Sequence, residues 1–513
     1  MTQLHPIAKP TTSRRVREVI GDRLLQIFYS LFQFIITLIF APQAPKAKSP
    51  LEKPLGRIAI IGAGVTGVSS AAHCVANGFD VVIYESKSQL GGIWSAVNQT
   101  SSLQLNSLLY RFHPAVIWSR GFPVKQHEIL SEITRIWETY QLESHTKFDF
   151  TVRNVNRLVS DGKTQWTING GEDGVFDGLI VAIGTCGQPK TLHALGREKF
   201  TGPVVHSSDL DGLELRNKRV VAIGGGASGV EAVELAVNSG AAEVSLLSRT
   251  DKWFIPRNWF FSVIMGTCPY SLQNSFGRLV EHALVAFHYR NLRHLTPAHK
   301  RFYSDTPIVN DIFFEHVRNE KARYIRGDLL EILPETLKIN VRHDRTSQAG
   351  NPGVTEFLKA DVLIDATGYE RPVYDFLPTV KLFPSKAYSP PNIFLQTFST
   401  ADPSCLMTNA AYVNAVGAAG HLHIGISTRM MIMFLLEPET APKPEEMKRW
   451  VDQSHSLEFF TYMELILWFI SFHLTSVARL RWIIFTLFGW GFMGPKIPPN
   501  CQIKTQKNDG DPM

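Results

Sequence analysis

The chain has 513 residues, 44% of them hydrophobic, with 37 glycines. That suits two or three packed domains and excludes a disordered polymer. The formal net charge is +6 and the pI about 8.9, but the basic residues are scattered apart from Arg14, Arg15 and Arg17, which argues against a nucleic-acid partner. The five cysteines (Cys74, Cys186, Cys268, Cys405, Cys501) are odd in number and widely spaced, with no C-x-x-C. This argues for a reducing compartment and against disulfide-redox or zinc chemistry, so no metal site is expected.

Residues 24 to 41, LLQIFYSLFQFIITLIFA, form an uncharged apolar run long enough to span a bilayer, preceded by a basic stretch and followed by Lys46, Lys48 and Lys53. The run reads as a membrane anchor helix; a cleaved signal peptide and a monotopic insertion are the alternatives. A linker rich in Pro, Lys and Ala follows, so residues 1–56 make up a basic tail, anchor and linker, and the folded part begins near Arg57.

Residues 57 to 67, RIAIIGAGVTG, run a buried apolar strand into Gly62, Gly64 and Gly67. Gly62 suits the tight turn, Gly64 a close approach to a pyrophosphate, and Gly67 the packing of the next helix on the strand. The strand DVVIYE then puts Glu85 where a carboxylate accepts from a ribose diol, completing a βαβ unit. Residues 85 to 94, ESKSQLGGIW, add Gly92 and Trp94 in the pattern E-x5-G-G-x-W. Farther on, KRVVAIGGGASG (218 to 229) repeats the device with Gly224, Gly226, Ser228 and Gly229. Two such units imply two dinucleotides. The strand after the second ends in Ser248 and Arg249; a guanidinium there suits the 2′-phosphate of NADPH, which a carboxylate would repel.

Between the units, FTGPVVHSSDL (200 to 210) carries F-x-G-x3-H in Phe200, Gly202 and His206. Two more apolar strands end in small residues, DGLIVAIGT (177 to 185) and ADVLIDATGYERP (360 to 372), the latter with Thr367 and Gly368. Together these motifs resemble the flavin-containing monooxygenases and their Baeyer–Villiger relatives, the class B flavoprotein monooxygenases. Leu210 departs from the family, which normally carries an aromatic there. The resemblance implies an α/β fold of two Rossmann-like dinucleotide-binding domains, an NADPH domain inserted into an FAD domain. The expected boundaries are 57–199 and 346–455 for the two parts of the FAD domain and 200–345 for the NADPH domain.

It also implies FAD and NADPH as cofactors and hydride transfer from one to the other. A flavin hydroperoxide then inserts one oxygen atom of dioxygen into a small lipophilic substrate, by N- or S-oxygenation or by Baeyer–Villiger oxidation of a ketone. In the segment SLQLNSLLYRFH (102 to 113), Asn106 matches the family's asparagine beside the flavin. An amide there can donate without titrating, so Asn106 is the catalytic candidate. Leu108, Leu109 and Tyr110 replace the polar residues that usually follow. A flavin-dependent NADPH reductase and a non-catalytic nucleotide-binding membrane protein share both βαβ units and are the readings from other classes.

Residues 456–494 are dense in Phe, Trp, Ile and Leu but broken by Arg479 and Arg481. They read as amphipathic membrane-associated helices with arginines at the headgroups; core helices capping the fold are the alternative. Residues 495–513 form a tail. The expected location is a membrane, the endoplasmic reticulum, with the catalytic part facing the cytosol.

Overall fold

The computed structural model describes residues 12–45, 53–104, 106–108, 110–119, 121, 123–160, 162–258, 260–261, 263–264, 268, 270–305, 307–407, 422–454 and 462–490. The expected basic tail before residue 12, residues 46–52 of the linker, Cys501 and the tail from 495 lie outside them.

The chain opens on helix α1 (Thr12–Phe40), then strand β1 (Arg57–Ile61), helix α2 (Val65–Ala76) and strand β2 (Asp80–Tyr84). Helix α3 (Gln126–Thr139) leads to the short β3 (Thr146–Lys147), the hairpin β4 (Val155–Ser160) and β5 (Lys163–Ile168), and β6 (Gly178–Val181). Near the end of the chain the antiparallel pair β16 (Phe398–Ser399) and β17 (Asp402–Leu406) completes a sheet in the order β16-β17-β6-β1-β2-β3. Its central pairs are parallel. The core of β1, Ile58 to Ile60, is fully buried, as expected for a parallel strand covered on both faces. One cover is α2 with helix Leu422–Leu436, whose Met430, Met431 and Met433 lie in the same core.

Between β6 and β16 the chain builds a second sheet. Its strands are β7 (Val204–His206), β8 (Arg219–Ile223), β9 (Glu243–Ser248), β12 (Arg323–Leu333), β13 (Thr336–Val341), β14 (Val354–Lys359) and β15 (Val362–Asp365), in the order β14-β13-β12-β9-β8-β15-β7. Helix α4 (Ala227–Asn238) follows β8, and the pair β10 (Phe254–Ile255) and β11 (Ile308–Val309) stands apart. The boundary expected at 345/346 therefore falls inside this sheet, because β14 pairs with β13 and β15 with β8 and β7. The insertion runs past Asp365. The two connections between the sheets are bonded to each other: Gly187 N–H to Glu370 O at 2.7 Å, Glu370 N–H to Gln188 O at 2.8 Å and Lys190 N–H to Gly368 O at 2.9 Å.

Among the described residues no helix is long and apolar enough to cross a membrane, so the spanning anchor expected at 24–41 is not found. That segment is the latter part of α1, and it lies along the first domain. Gln33 is fully buried there, while Ile27, Phe28, Leu31, Phe32, Phe34 and Leu38 on the other faces are exposed.

The C-terminal helices Tyr462–Leu474 and Ile483–Phe488 pack Phe469, Phe472 and Phe485 into the same core. Arg479, expected at headgroups, is instead buried in protein. It donates to Thr440 O at 2.9 Å, pairs with Glu446 at 3.1 Å and lies 4.4 Å over the Phe472 ring. A buried guanidinium needs such partners, and here the fold supplies them. Arg481 pairs with Glu437. The capping-helix alternative describes this part better.

Candidate nucleotide and oxygenation site

The first glycine turn is shaped by close backbone contacts. Gly62 has φ +105°, and a Cβ there would stand 2.6 Å from Ala182 O. A Cβ on Gly67 would stand 1.8 Å from Gly62 O, so helix and turn pack as the sequence requires. Gly91 and Gly92 also adopt positive φ, and Gly91 N–H donates to Ala63 O at 3.1 Å. The two glycine segments, far apart in the pattern, thus form one cradle open to the N-terminal turn of α2. First-turn amides pointing into a side-chain-free space suit a pyrophosphate.

Glu85, buried at the end of β2, accepts from Ala63 N–H at 2.7 Å through one oxygen and from Lys87 N–H at 2.9 Å through the other. Ser86 Oγ also donates to it at 3.3 Å, so of the about four acceptor positions of a carboxylate one is left for a ribose hydroxyl. Beyond the cradle opens a cavity of about 1070 Å³ lined by Gly62, Gly64, Glu85, Gly92 and Trp94. Trp94 Nε1 donates to Tyr110 Oη at 2.9 Å, and the two rings meet edge to face. Burial pushes the Tyr110 phenol upward, so it stays protonated and neutral at ordinary pH.

The second turn repeats the geometry. Gly224 has φ +128°, and its Cβ would stand 2.3 Å from Ala366 O; a Cβ on Gly229 would stand 1.9 Å from Gly224 O. Around Gly226 the space is open. Ser228 sits in the first turn of α4, and Arg249, just past β9, is exposed. Each turn thus abuts the small residue that ends a neighbouring strand, Ala182 after β6 and Ala366 after β15. Thr367 is exposed, and it donates from N–H and Oγ1 to Asp365 Oδ1 at 3.0 and 2.7 Å. His206 Nε2 lies 3.1 Å from Gly368 O, and its Nδ1 accepts from Ser208 N–H at 3.1 Å. His206 also meets Tyr369 edge to face, behind the cavity wall. Leu210 is buried in the second domain's core.

Of the residues picked from the sequence, Gly67, Asn106, Gly224, Gly226, Ser228, Gly229, Arg249, Thr367 and Gly368 do not line the large cavity. Asn106 caps its own turn, its Oδ1 accepting from Leu108 N–H at 3.0 Å. Tyr110, Cys186, Ser208, Tyr369 and Arg371 line the cavity without having been singled out as site residues. Tyr110, Ser208, Tyr369 and Arg371 lie within the quoted motifs, so the signal was proximity to them.

A family model described as flavin-binding monooxygenase-like matches residues 55–377. The chain belongs to the flavin-binding monooxygenase-like family. This is a family of flavin-dependent monooxygenases whose cofactors are FAD and NADPH. The chain is 26% identical to a dimethylaniline monooxygenase [N-oxide-forming] 4 of Rattus norvegicus, over 86% of this chain and 84% of that one. To a flavin-containing monooxygenase 5 of Cavia porcellus it is 28% identical over 50% and 53%, and to a 4-hydroxybenzoate brominase (decarboxylating) of Marinomonas mediterranea 26% over 45% and 48%. The chain thus spans about half the length of the latter two relatives. Its fold is similar to that of OTEMO solved with FAD and NADP (TM-score 0.60, 18% identity, 83% of this chain and 92% of that one). It is also similar to a steroid monooxygenase bound to NADP (TM-score 0.60, 16% identity, 78% and 90%).

Proposed function

We propose that this flavin-binding monooxygenase-like protein uses FAD and NADPH to place one atom of dioxygen on the nitrogen or sulfur of a small lipophilic molecule. The observation that carries the reading is the pair of glycine turns, each kept free of side chains by backbone contacts that a Cβ would violate. A cradle built this way fits a dinucleotide pyrophosphate.

FAD reduced by NADPH would supply the oxygen chemistry. The chain's own residues do the rest. Gly62, Gly64, Gly92 and the start of α2 hold the flavin nucleotide, with Glu85 on its ribose. Gly224, Gly226, Ser228 and Gly229 hold the second pyrophosphate, and Arg249 takes the 2′-phosphate. Trp94 and Tyr110 close one wall of the cavity against water, which protects a reactive oxygen donor from wasteful decay. Asn106, which caps its own turn beside the cavity wall, would donate from its amide toward the transferred oxygen once FAD is bound. Its segment touches the wall through Tyr110, whose N–H donates to Asn106 O at 3.3 Å.

Heteroatom oxygenation is favoured because the rat relative, matched along most of both chains, is named for N-oxide formation. Oxidation of a ketone is the alternative within the family. Incubating the purified protein with NADPH, dioxygen and, separately, an amine, a thioether and a cyclic ketone decides between them by product mass. Protein that takes up no FAD, or consumes NADPH without oxygenating any of the three, overturns the proposal and leaves the reductase or non-catalytic readings.

We infer further that the protein lies side-on against a membrane surface through α1. Supporting this, the exposed faces of α1 carry Ile27, Phe28, Leu31, Phe32 and Leu38, and they continue into Phe488 and Trp490, which pack against Phe40. Arg14, Arg15 and Arg17 stand near the start of the same helix. Apolar side chains flanked by cations suit an anionic interface. Cosedimentation with phosphatidylserine-containing vesicles, lost on combining Phe28→Ser with Phe32→Ser, is the expected result; wild-type protein that stays in the supernatant overturns it.

A further inference from the structure

We propose that α1 is a positioning element of the cavity wall, setting Tyr110 through the chain on either side of it; the inference rests on the monooxygenase reading of the cavity. Gln26, Tyr29, Gln33 and Thr37 recur along α1 at intervals of three and four, which places them on one helical face. Every one of them is bonded to the segment between Ser107 and Ser119. Gln26 Nε2 donates to Ser119 O at 2.7 Å, the Tyr29 and Ser107 hydroxyls are bonded to each other, and Thr37 Oγ1 donates to Pro114 O at 3.1 Å.

Gln33 is the most constrained of the four. Fully buried, it accepts from Trp118 N–H at 2.8 Å and donates to Trp118 O at 2.9 Å, so its amide stands in for a neighbouring strand. A buried amide is costly without partners, and a mere tether gains nothing from one. Arg111 reaches back to the helix, donating to Thr37 Oγ1 at 2.8 Å, Gln33 O at 3.2 Å and Gln33 Oε1 at 3.3 Å.

Tyr110 lies between Ser107 and Arg111, both of which are held by α1. Its hydroxyl accepts from Trp94, and both rings line the cavity. The clamp therefore fixes the wall that excludes water from the oxygen-transfer space. The second nucleotide turn and Arg249 belong to the other sheet and take no part in it.

Gln33→Met, close in volume but unable to serve Trp118, tests this in the full-length, FAD-loaded protein. Amide exchange across residues 106–119 is expected to rise about tenfold or more, from loss of the two bonds to Trp118 and the one from Arg111. Product formed per NADPH should fall several-fold, while flavin content and the KM for NADPH stay as in wild type. Thr37→Val should act the same way more weakly, and it replaces Gln33→Met should that variant fail to accumulate. Wild-type exchange and coupling in both variants overturns the proposal. So does a parallel loss of flavin content, NADPH affinity and protection throughout the chain, which would mark α1 as a general stabiliser. If wild-type protein oxygenates nothing, the functional reading fails on its own, and the exchange measurement still reports on the clamp.

Discussion

Gly64 and Gly92 face each other across the first nucleotide turn: a methyl on Gly92 would stand 3.1 Å from Gly64 Cα, and one on Gly64 would stand 3.4 Å from Gly92 Cα. The two backbones form a narrow slot in which a side chain on Gly92 would press against Gly64. Gly92 has φ +57°, so Gly92→Ala costs about 1–2 kcal/mol in backbone conformation as well as narrowing the slot. The variant is expected to fold with a slightly lower Tm and to retain little flavin, read as absorbance near the flavin bands per chain. Wild-type flavin content would remove the cradle from the argument.

Arg249 is exposed just beyond β9, free to meet a phosphate at the carboxyl end of the sheet. Arg249→Ala should raise the KM for NADPH about tenfold or more and leave that for NADH nearly unchanged. Equal effects on both coenzymes would show that the guanidinium does not read the 2′-phosphate.

Asn106→Ala should keep FAD bound and uncouple NADPH oxidation from product formation. Because Asn106 also caps its turn through Oδ1, Asn106→Asp is the informative companion, preserving the acceptor and removing the amide donor. Uncoupling in both variants assigns the effect to the N–H; full coupling in both refutes the role.

Glu231 on α4 accepts from Gln104 Nε2 at 2.8 Å and Ser102 N–H at 3.3 Å, bonding the second domain to the segment leading to Asn106. Burial, aided by the neighbouring Glu234 charge, raises its carboxyl to about 7, against the opposing effects of the Ser102 bond, Arg257 and Gln104. The folded state therefore holds this proton more tightly than the unfolded chain does. Its stabilising contribution is present below the unfolded value of 4.5 and is lost as pH rises toward 7. Melting curves from pH 4.5 to 8 should show wild type falling relative to Glu231→Gln across that window; parallel curves would contradict the shift.

What could be read from the chain follows the range of the interactions. Strand, glycines, helix and acid from Arg57 to Glu85 are held by neighbours in sequence, and their geometry matches the pattern. Gly92 stood in a quoted pattern, but nothing in the spacing said that it would face Gly64, a contact made only by the fold. The limit of the inserted domain was misplaced because β14 and β15 join the second sheet only by pairing with strands that no local pattern names. The apolar run at 24–41 hid its polar face: Gln26, Tyr29, Gln33 and Thr37 are too few to lower the hydropathy, though their three-and-four spacing was visible. Arg479 misled for a related reason, since the Glu446 that neutralises it lies 33 residues earlier.

The outgoing chain at 187–190 and the returning chain at 368–370 are zipped into a short two-stranded ribbon. Two separate threads would let the inserted domain slide, tilt and twist independently. A ribbon resists sliding and bends most readily about its own width, so any movement of the inserted domain against the first would be confined to a swing about a single crossing, beside which Tyr369 and Cys186 line the cavity.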